Sequence, residues 1–192
     1  MLERVRILVT GFEPYLKQRR NPTQRLALEA DGKVVGIAAL AGRVLPTEFR
    51  GCEAALRRAL EEVRPEAVIM FGLAPSRTKV GVEAVALNVD HGEDADNAGV
   101  RRWRCAIVAG GPRLLDARAD IDALYAALKR ARVPVAVSYH AGTYVCNHAF
   151  YTALRATRAT VAFLHVPKWP PGKLWRTLQA VVAAISRGRG RR

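Results

Sequence analysis

"VPVAVSYHAGTYVCNHAFYTALRATR", Val133 to Arg158, decides the fold. It opens with a short run of β-branched and apolar residues, passes through a turn containing Gly142, and continues with apolar residues at helical spacing. The stretch reads as a strand over VPVAVSY and a helix over TYVCNHAFYTALRATR. A further strand, TVAFLHVP, follows at once, and then a helix over PPGKLWRTLQAVVAAIS that opens on proline. Strands that alternate with helices predict a sheet covered by helices on both faces.

Toward the N-terminus the alternation continues. VRILVTGF reads as a buried first strand, and NPTQRLALEA as a helix starting near Pro22. KVVGIAAL and GRVLPT read as two strands. TEFRGCEAALRRALEEV is a helix with Thr47 at its N-cap, stopping before Arg64-Pro65. EAVIMFG is another buried strand, and VGVEAVALNV alternates as a strand with one covered face. DHGEDADNAGVRRW is a polar loop, and DIDALYAALKRARV a helix. The expected fold class is α/β: a three-layer α/β/α arrangement around a twisted, mostly parallel central sheet, in a single domain.

The length of 192 residues suits one domain with a substantial core. No apolar run reaches the roughly 20 residues of a membrane span, and the N-terminal residues lack a signal-peptide pattern, so the expectation is no membrane and a cytoplasmic location. Cys52, Cys105 and Cys146 are widely spaced, which favours neither a disulfide framework nor a zinc site. The formal net charge of +14 invites a nucleic-acid partner. The basic residues are scattered over the expected polar faces, however, and no RNP, KH or zinc-finger signature accompanies them. A solvated basic surface is the favoured reading over a nucleic-acid site. The concentrated run at 187–192 reads as a disordered Gly/Arg tail.

Cys146 falls in the first turn of its helix, where unpaired N–H groups and the helix dipole favour a thiolate and an oxyanion. A nucleophile with a depressed pKa is expected there; the alternative is a packed, inert thiol. His148, two positions on, does not face Cys146. His140 precedes the turn, and His91 sits in a loop. His165 ends the strand TVAFLH, taken to share with Cys146 the carboxyl edge where α/β ligand crevices lie, so the two can meet. Glu83 lies mid-strand among apolar residues and needs a partner, which an imidazolium or Arg77 could supply. No two ligand-type residues recur at metal spacing on one element, so no metal is expected.

Several segments together resemble the type I pyroglutamyl peptidases, a family of cysteine peptidases. VTGFEP followed by NP is similar to the family's N-terminal motif. GLAPSR followed by VEAVALN is similar to the segment of its catalytic glutamate, SYHAGTYVCNHAFY to that of its nucleophile, and FLHVP to that of its histidine. The matches fall in family order along nearly the whole chain.

The resemblance implies a peptidase-like domain over 1–186, with Cys146 as nucleophile, His165 as base and then acid, and Glu83 as orienter. It implies release of N-terminal 5-oxoproline through an acyl-enzyme, no cofactor, and a homo-oligomer, dimer or tetramer. Phe12, Tyr15, Tyr144 and Val145 map onto the family's lactam walls, and Leu73 joins them in the substrate pocket. Two departures bear on specificity: Tyr15-Leu16-Lys17 stands where the family has Phe-Gly-Gly, and in HGEDADN Asp94 stands where an apolar residue reaches the pocket, with Glu93 in place of an arginine. The competing expectations are a related hydrolase with another N-terminal specificity and a catalytically weak nucleic-acid-binding protein on this fold.

Overall fold

In the computed structural model, which describes residues 4–15 and 18–189, helices cover both faces of a seven-stranded sheet. In chain order the elements are β1 (Val5–Phe12), α1 (Pro22–Ala30), β2 (Val34–Val35), β3 (Ala38–Leu45), α2 (Phe49–Val63), β4 (Ala67–Leu73), β5 (Val80–Glu83), β6 (Val85–Leu87), β7 (Leu114–Asp116), α3 (Ile121–Arg130), β8 (Val135–Ser138), α4 (Val145–Ala156), β9 (Thr160–Val166) and α5 (Pro171–Arg189). The main sheet runs β2-β3-β1-β4-β9-β5-β8, and β6 pairs with β7 in a small second sheet. The chain is a single domain with a mostly parallel sheet: β1 pairs parallel with β3 and β4, β4 with β9, and β5 with β8. β2 with β3, β5 with β9, and β6 with β7 pair antiparallel.

The central strands are apolar at nearly every position because both of their faces are covered. Ile7, Ile69 and Leu164 point toward α1, α3 and α5, while Leu8, Met70 and Phe163 point toward α2 and α4. Each such side chain contributes roughly 1.5–3 kcal/mol through burial. α1 lies close on β1: a Cβ at Gly11 would fall 1.9 Å from the carbonyl oxygen of Thr23, so only glycine permits the approach. Asn21 caps α1 by accepting the Thr23 N–H at 3.0 Å. α2 ends at Arg64 in the left-handed region (φ 45°), directly before Pro65.

Four sequence readings change. KVVGIAAL and GRVLPT are not two strands: the chain turns at Gly36 (φ 58°) between β2 and β3, and β3 runs unbroken to Leu45. VGVEAVALNV splits at Ala84, whose N–H bonds Ser138 and whose carbonyl takes the Ala117 N–H, so that β5 and β6 join different sheets. α5 continues to Arg189, into the stretch expected as tail; residues 190–192, like Leu16 and Lys17, lie outside the described residues. Finally, β8 runs opposite to β9, because β5 is parallel to the one and antiparallel to the other. The two strands therefore do not share a carboxyl edge, and it is the segment 139–144 that brings the chain to the start of α4.

Candidate active site

At the carboxyl ends of β1, β4 and β9 a cavity of about 130 Å³ opens, and Cys146 and His165 both line it. Phe12, Tyr15, Leu73, Tyr144 and Val145 form its apolar and aromatic walls, joined by Asn21, Thr47 and Ala141. Cys146, His165 and the five wall residues named from the sequence thus line one space, while Glu83 lies outside the lining. Aromatic contacts stiffen the walls: the Tyr15 and Tyr144 rings stand 6.3 Å apart, and Phe49 meets Tyr144 edge-on at 5.4 Å. The Tyr144 hydroxyl donates to the carbonyl of Ala95 at 2.9 Å. Among the described residues the lining carries no Asp, Glu, Lys or Arg side chain.

His165 sits between glycines of its two neighbouring strands, Gly72 on β4 and Gly81 on β5. A Cβ at Gly72 would come 2.9 Å from the imidazole Cδ2 and Nε2, so the missing side chain makes room for the ring. His165 Nδ1 lies 2.8 Å from Glu83 Oε1. A carboxylate only accepts, so Nδ1 carries the proton and Nε2 is left as the reactive nitrogen. Glu83 has no exposed surface. Its Oε1 also meets Arg77 Nη1 at 2.9 Å, so both partners weighed for Glu83 from the sequence are present.

Cys146 is the second residue of α4, and the Tyr144 side chain does not cap that helix, so the first-turn N–H groups remain available. The thiol differs from the expectation of a depressed pKa. Burial, reinforced by the Glu83 charge, pushes it up to about 12. Desolvation of the sulfur outweighs the helix dipole until a cation stands beside it. Burial, followed by the charges of Asp96 and Asp94, raises Tyr144 to about 12, so its hydroxyl stays a donor.

The other histidines are occupied elsewhere. His140 is exposed, and its Nδ1 accepts the Gly142 N–H at 3.1 Å. His91 meets Trp103 edge-on at 4.5 Å, while its backbone bonds Thr143. His148 is buried with Nδ1 2.9 Å from Asp90 Oδ2. Asp94 is exposed and outside the pocket lining. The loop turns it outward because Asp96, two residues on, is the carboxylate anchored inside, accepting N–H groups from Phe49, Ala98 and Val100.

Sequence reasoning gave Asn21 and Asn147 no role and read Thr47 as the N-cap of α2, a position that Glu48 takes with no side-chain cap bond. Asn21 Nδ2 and Thr47 Oγ1 both donate to the Glu13 carbonyl, fixing the floor of the loop that carries Tyr15. Asn147, fully buried, exchanges hydrogen bonds with Leu87 at 2.8 Å and ties α4 to β6. The Asn-Pro pair was the one available signal, and it pointed to a helix start rather than a pocket. Among the described residues no His, Cys, Asp and Glu cluster has an arrangement that could hold a metal ion.

The profile of the pyroglutamyl peptidase family matches residues 5–183. Pyrrolidone-carboxylate peptidase 1 of Ralstonia nicotianae is 38% identical over 190 residues, covering 93% of this chain and 88% of its own. The Pyrococcus furiosus pyrrolidone-carboxylate peptidase is 36% identical over 171 residues, covering 86% and 82%. Among solved structures, pyrrolidone carboxyl peptidase of Thermococcus litoralis superposes with a TM-score of 0.94 at 28% identity, covering 97% of this chain and 96% of that one. Pyroglutamyl peptidase I of Bacillus amyloliquefaciens gives 0.90 at 28% identity, covering 95% and 98%.

Proposed function

This chain belongs to the pyroglutamyl peptidase family, enzymes that remove N-terminal pyroglutamate from peptides, and we propose that it does so by covalent catalysis through Cys146. The observation that carries the reading is the 2.8 Å contact of His165 with a buried Glu83, on a ring that shares its pocket with Cys146. His165 Nε2 takes the thiol proton, and the imidazolium so formed is the cation that stabilises the thiolate. The sulfur attacks the carbonyl carbon of the 5-oxoprolyl residue, and the resulting oxyanion faces the first-turn N–H groups of α4. His165 then gives its proton to the departing amine, the C–N bond breaks, and a thioester remains. Water, deprotonated by His165, attacks the thioester and releases 5-oxoproline, while the thiol recovers its proton.

The lactam is small, flat and neutral, and an uncharged pocket with aromatic walls suits it. Since Asp94 lies outside the lining, a desolvated carboxylate does not oppose the ring. We extend the proposal to a homo-oligomer acting in the cytoplasm, in keeping with the resemblance and the free thiols. Among the described residues no helix is long and apolar enough to cross a membrane. The test is a panel of fluorogenic amides under reducing conditions. Pyroglutamyl amide should be cleaved, and free aminoacyl amides should not. Cys146→Ala should retain the fold and lose turnover; a variant that still cleaves the amide at the wild-type rate overturns the assignment of Cys146.

A further inference from the structure

Glu83 Oε1 accepts from two cations' worth of donors: His165 Nδ1 at 2.8 Å and Arg77 Nη1 at 2.9 Å. Oε2 is buried without a hydrogen-bond partner. Arg77 comes from the turn between β4 and β5, where its N–H bonds the Ala74 carbonyl, and its Nη2 donates to Ser138 Oγ at 3.3 Å. The path to Glu83 crosses Gly81, directly opposite His165 in the sheet. A Cβ at Gly81 would lie 1.7 Å from Nη1, so the guanidinium fills the space that a side chain there would occupy. Glycine at 81 thus leaves a cradle for this one contact.

We infer that Arg77 is a positioning residue of the reaction, a permanent countercharge that holds the Glu83 carboxylate against His165 while the ring gains and loses its proton. The inference rests on the assignment of His165 as base. In each turnover the ring passes through its neutral form, and Glu83, with no exposed surface, would then face, among the described residues, no cation but Arg77. A lone buried carboxylate is costly and responds by taking up a proton. That proton would compete with the one His165 must deliver to the leaving amine. Guanidinium does not deprotonate in proteins, so it keeps the carboxylate an acceptor throughout the cycle. The titratable and charged groups that meet the pair are Arg77 from the β4–β5 turn and Cys146 from α4.

The test measures kcat, KM and the pH profile of kcat/KM on pyroglutamyl amide for Arg77→Met, Arg77→Lys and Gly81→Ala. Arg77→Met should lower kcat about tenfold and leave KM within about twofold. Its alkaline limb should move up by about one pH unit, because proton release from the pair would now strand Glu83. Arg77→Lys, which keeps a charge, should restore most of the limb's position. Gly81→Ala leaves Arg77 in the chain but blocks its path, and should move the limb the same way even if Arg77→Met does not fold. A fall in kcat with an unmoved limb, or an unchanged kcat, overturns the inference. Cys146→Ala is assayed beside them: if it stays active, the reading of the site fails rather than the role of Arg77.

Discussion

Two histidine–carboxylate pairs, one built on β9 and one on helix α4, look alike at close range. His165 meets Glu83 at 2.8 Å and His148 meets Asp90 at 2.9 Å, each through Nδ1 and each buried. The surroundings of the rest of the ring separate them. The His165 ring lines the cavity that holds Cys146, and its carboxylate has a second cation in Arg77. His148 Nε2 is buried with no hydrogen-bond partner, 3.7 Å from Glu53 Oε2 and edge-on to Phe49. An imidazole oriented by a carboxylate is a base only where its other nitrogen opens on a nucleophile and a space for substrate. Elsewhere the same pair is a tie between elements, here α2, α4 and the loop after β6.

The contrast breaks if the two rings can be exchanged in their effects. His165→Ala should lower kcat/KM by about 10³-fold or more while changing the melting temperature little, since Glu83 keeps Arg77. His148→Ala should do the reverse. It strands Asp90, which is 2% exposed, at a cost of about 3–5 kcal/mol, or on the order of 10 °C in melting temperature for a chain of this length. Its kcat/KM, measured where it is folded, should stay within about tenfold of wild type. Equal kinetic losses at the two positions would erase the distinction.

The thiols of α2 and α4 sharpen it further. With Cys146 pushed up to about 12, the substrate-free enzyme presents a neutral thiol at pH 7. Iodoacetamide labelling of Cys146, followed by mass spectrometry, should therefore accelerate by up to about tenfold per pH unit toward the alkaline range. His165→Ala should slow the reaction at neutral pH. Cys52 has no exposed surface and should stay unlabelled until the chain unfolds. A labelling rate for Cys146 that is flat from pH 6 to 9 would mean the thiolate is already formed at rest.

A smaller effect concerns stability in alkali. Burial raises both Cys52 and Cys146 above the usual thiol value of 9.0. The unfolded chain loses these protons first, so both contributions are complete below pH 9 and are lost above it, that of Cys146 by about pH 12. Urea midpoints should fall across that window, and Cys52→Ala should flatten the fall. The smallest expected change is at Asp94: Asp94→Ile should alter KM for pyroglutamyl amide by less than about threefold, roughly 0.6 kcal/mol. A gain of about tenfold in kcat/KM would place the carboxylate in the pocket after all.

What the sequence revealed follows from how local each signal is. The apolar runs of β1, β4 and β9 and the proline start of α1 are written in adjacent residues and read directly. Two residues apart on one helix was enough to separate His148 from Cys146. The Asp90–His148 pair was not legible, because its members are 58 positions apart and neither sits in a pattern that anticipates the other. The break at Ala84 escaped because alternation over VGVEAVALNV continues on either side of it. The direction of β8 relative to β9 is a property of the whole sheet, and an edge shared by His165 and Cys146 was assumed where segment 139–144 does the joining. The thiol was misjudged for a related reason: the helix start is local, while its desolvation comes from walls contributed by β1, β4 and β9.

The sheet's margins bear on how copies of this chain can meet. β2 and β8, the outermost strands, are two and four residues long. An edge so brief presents few unpaired N–H and C=O groups, and Pro134, just before β8, offers no donor at all. A neighbouring molecule finds too short a ladder to extend, so strand-to-strand aggregation has little template here.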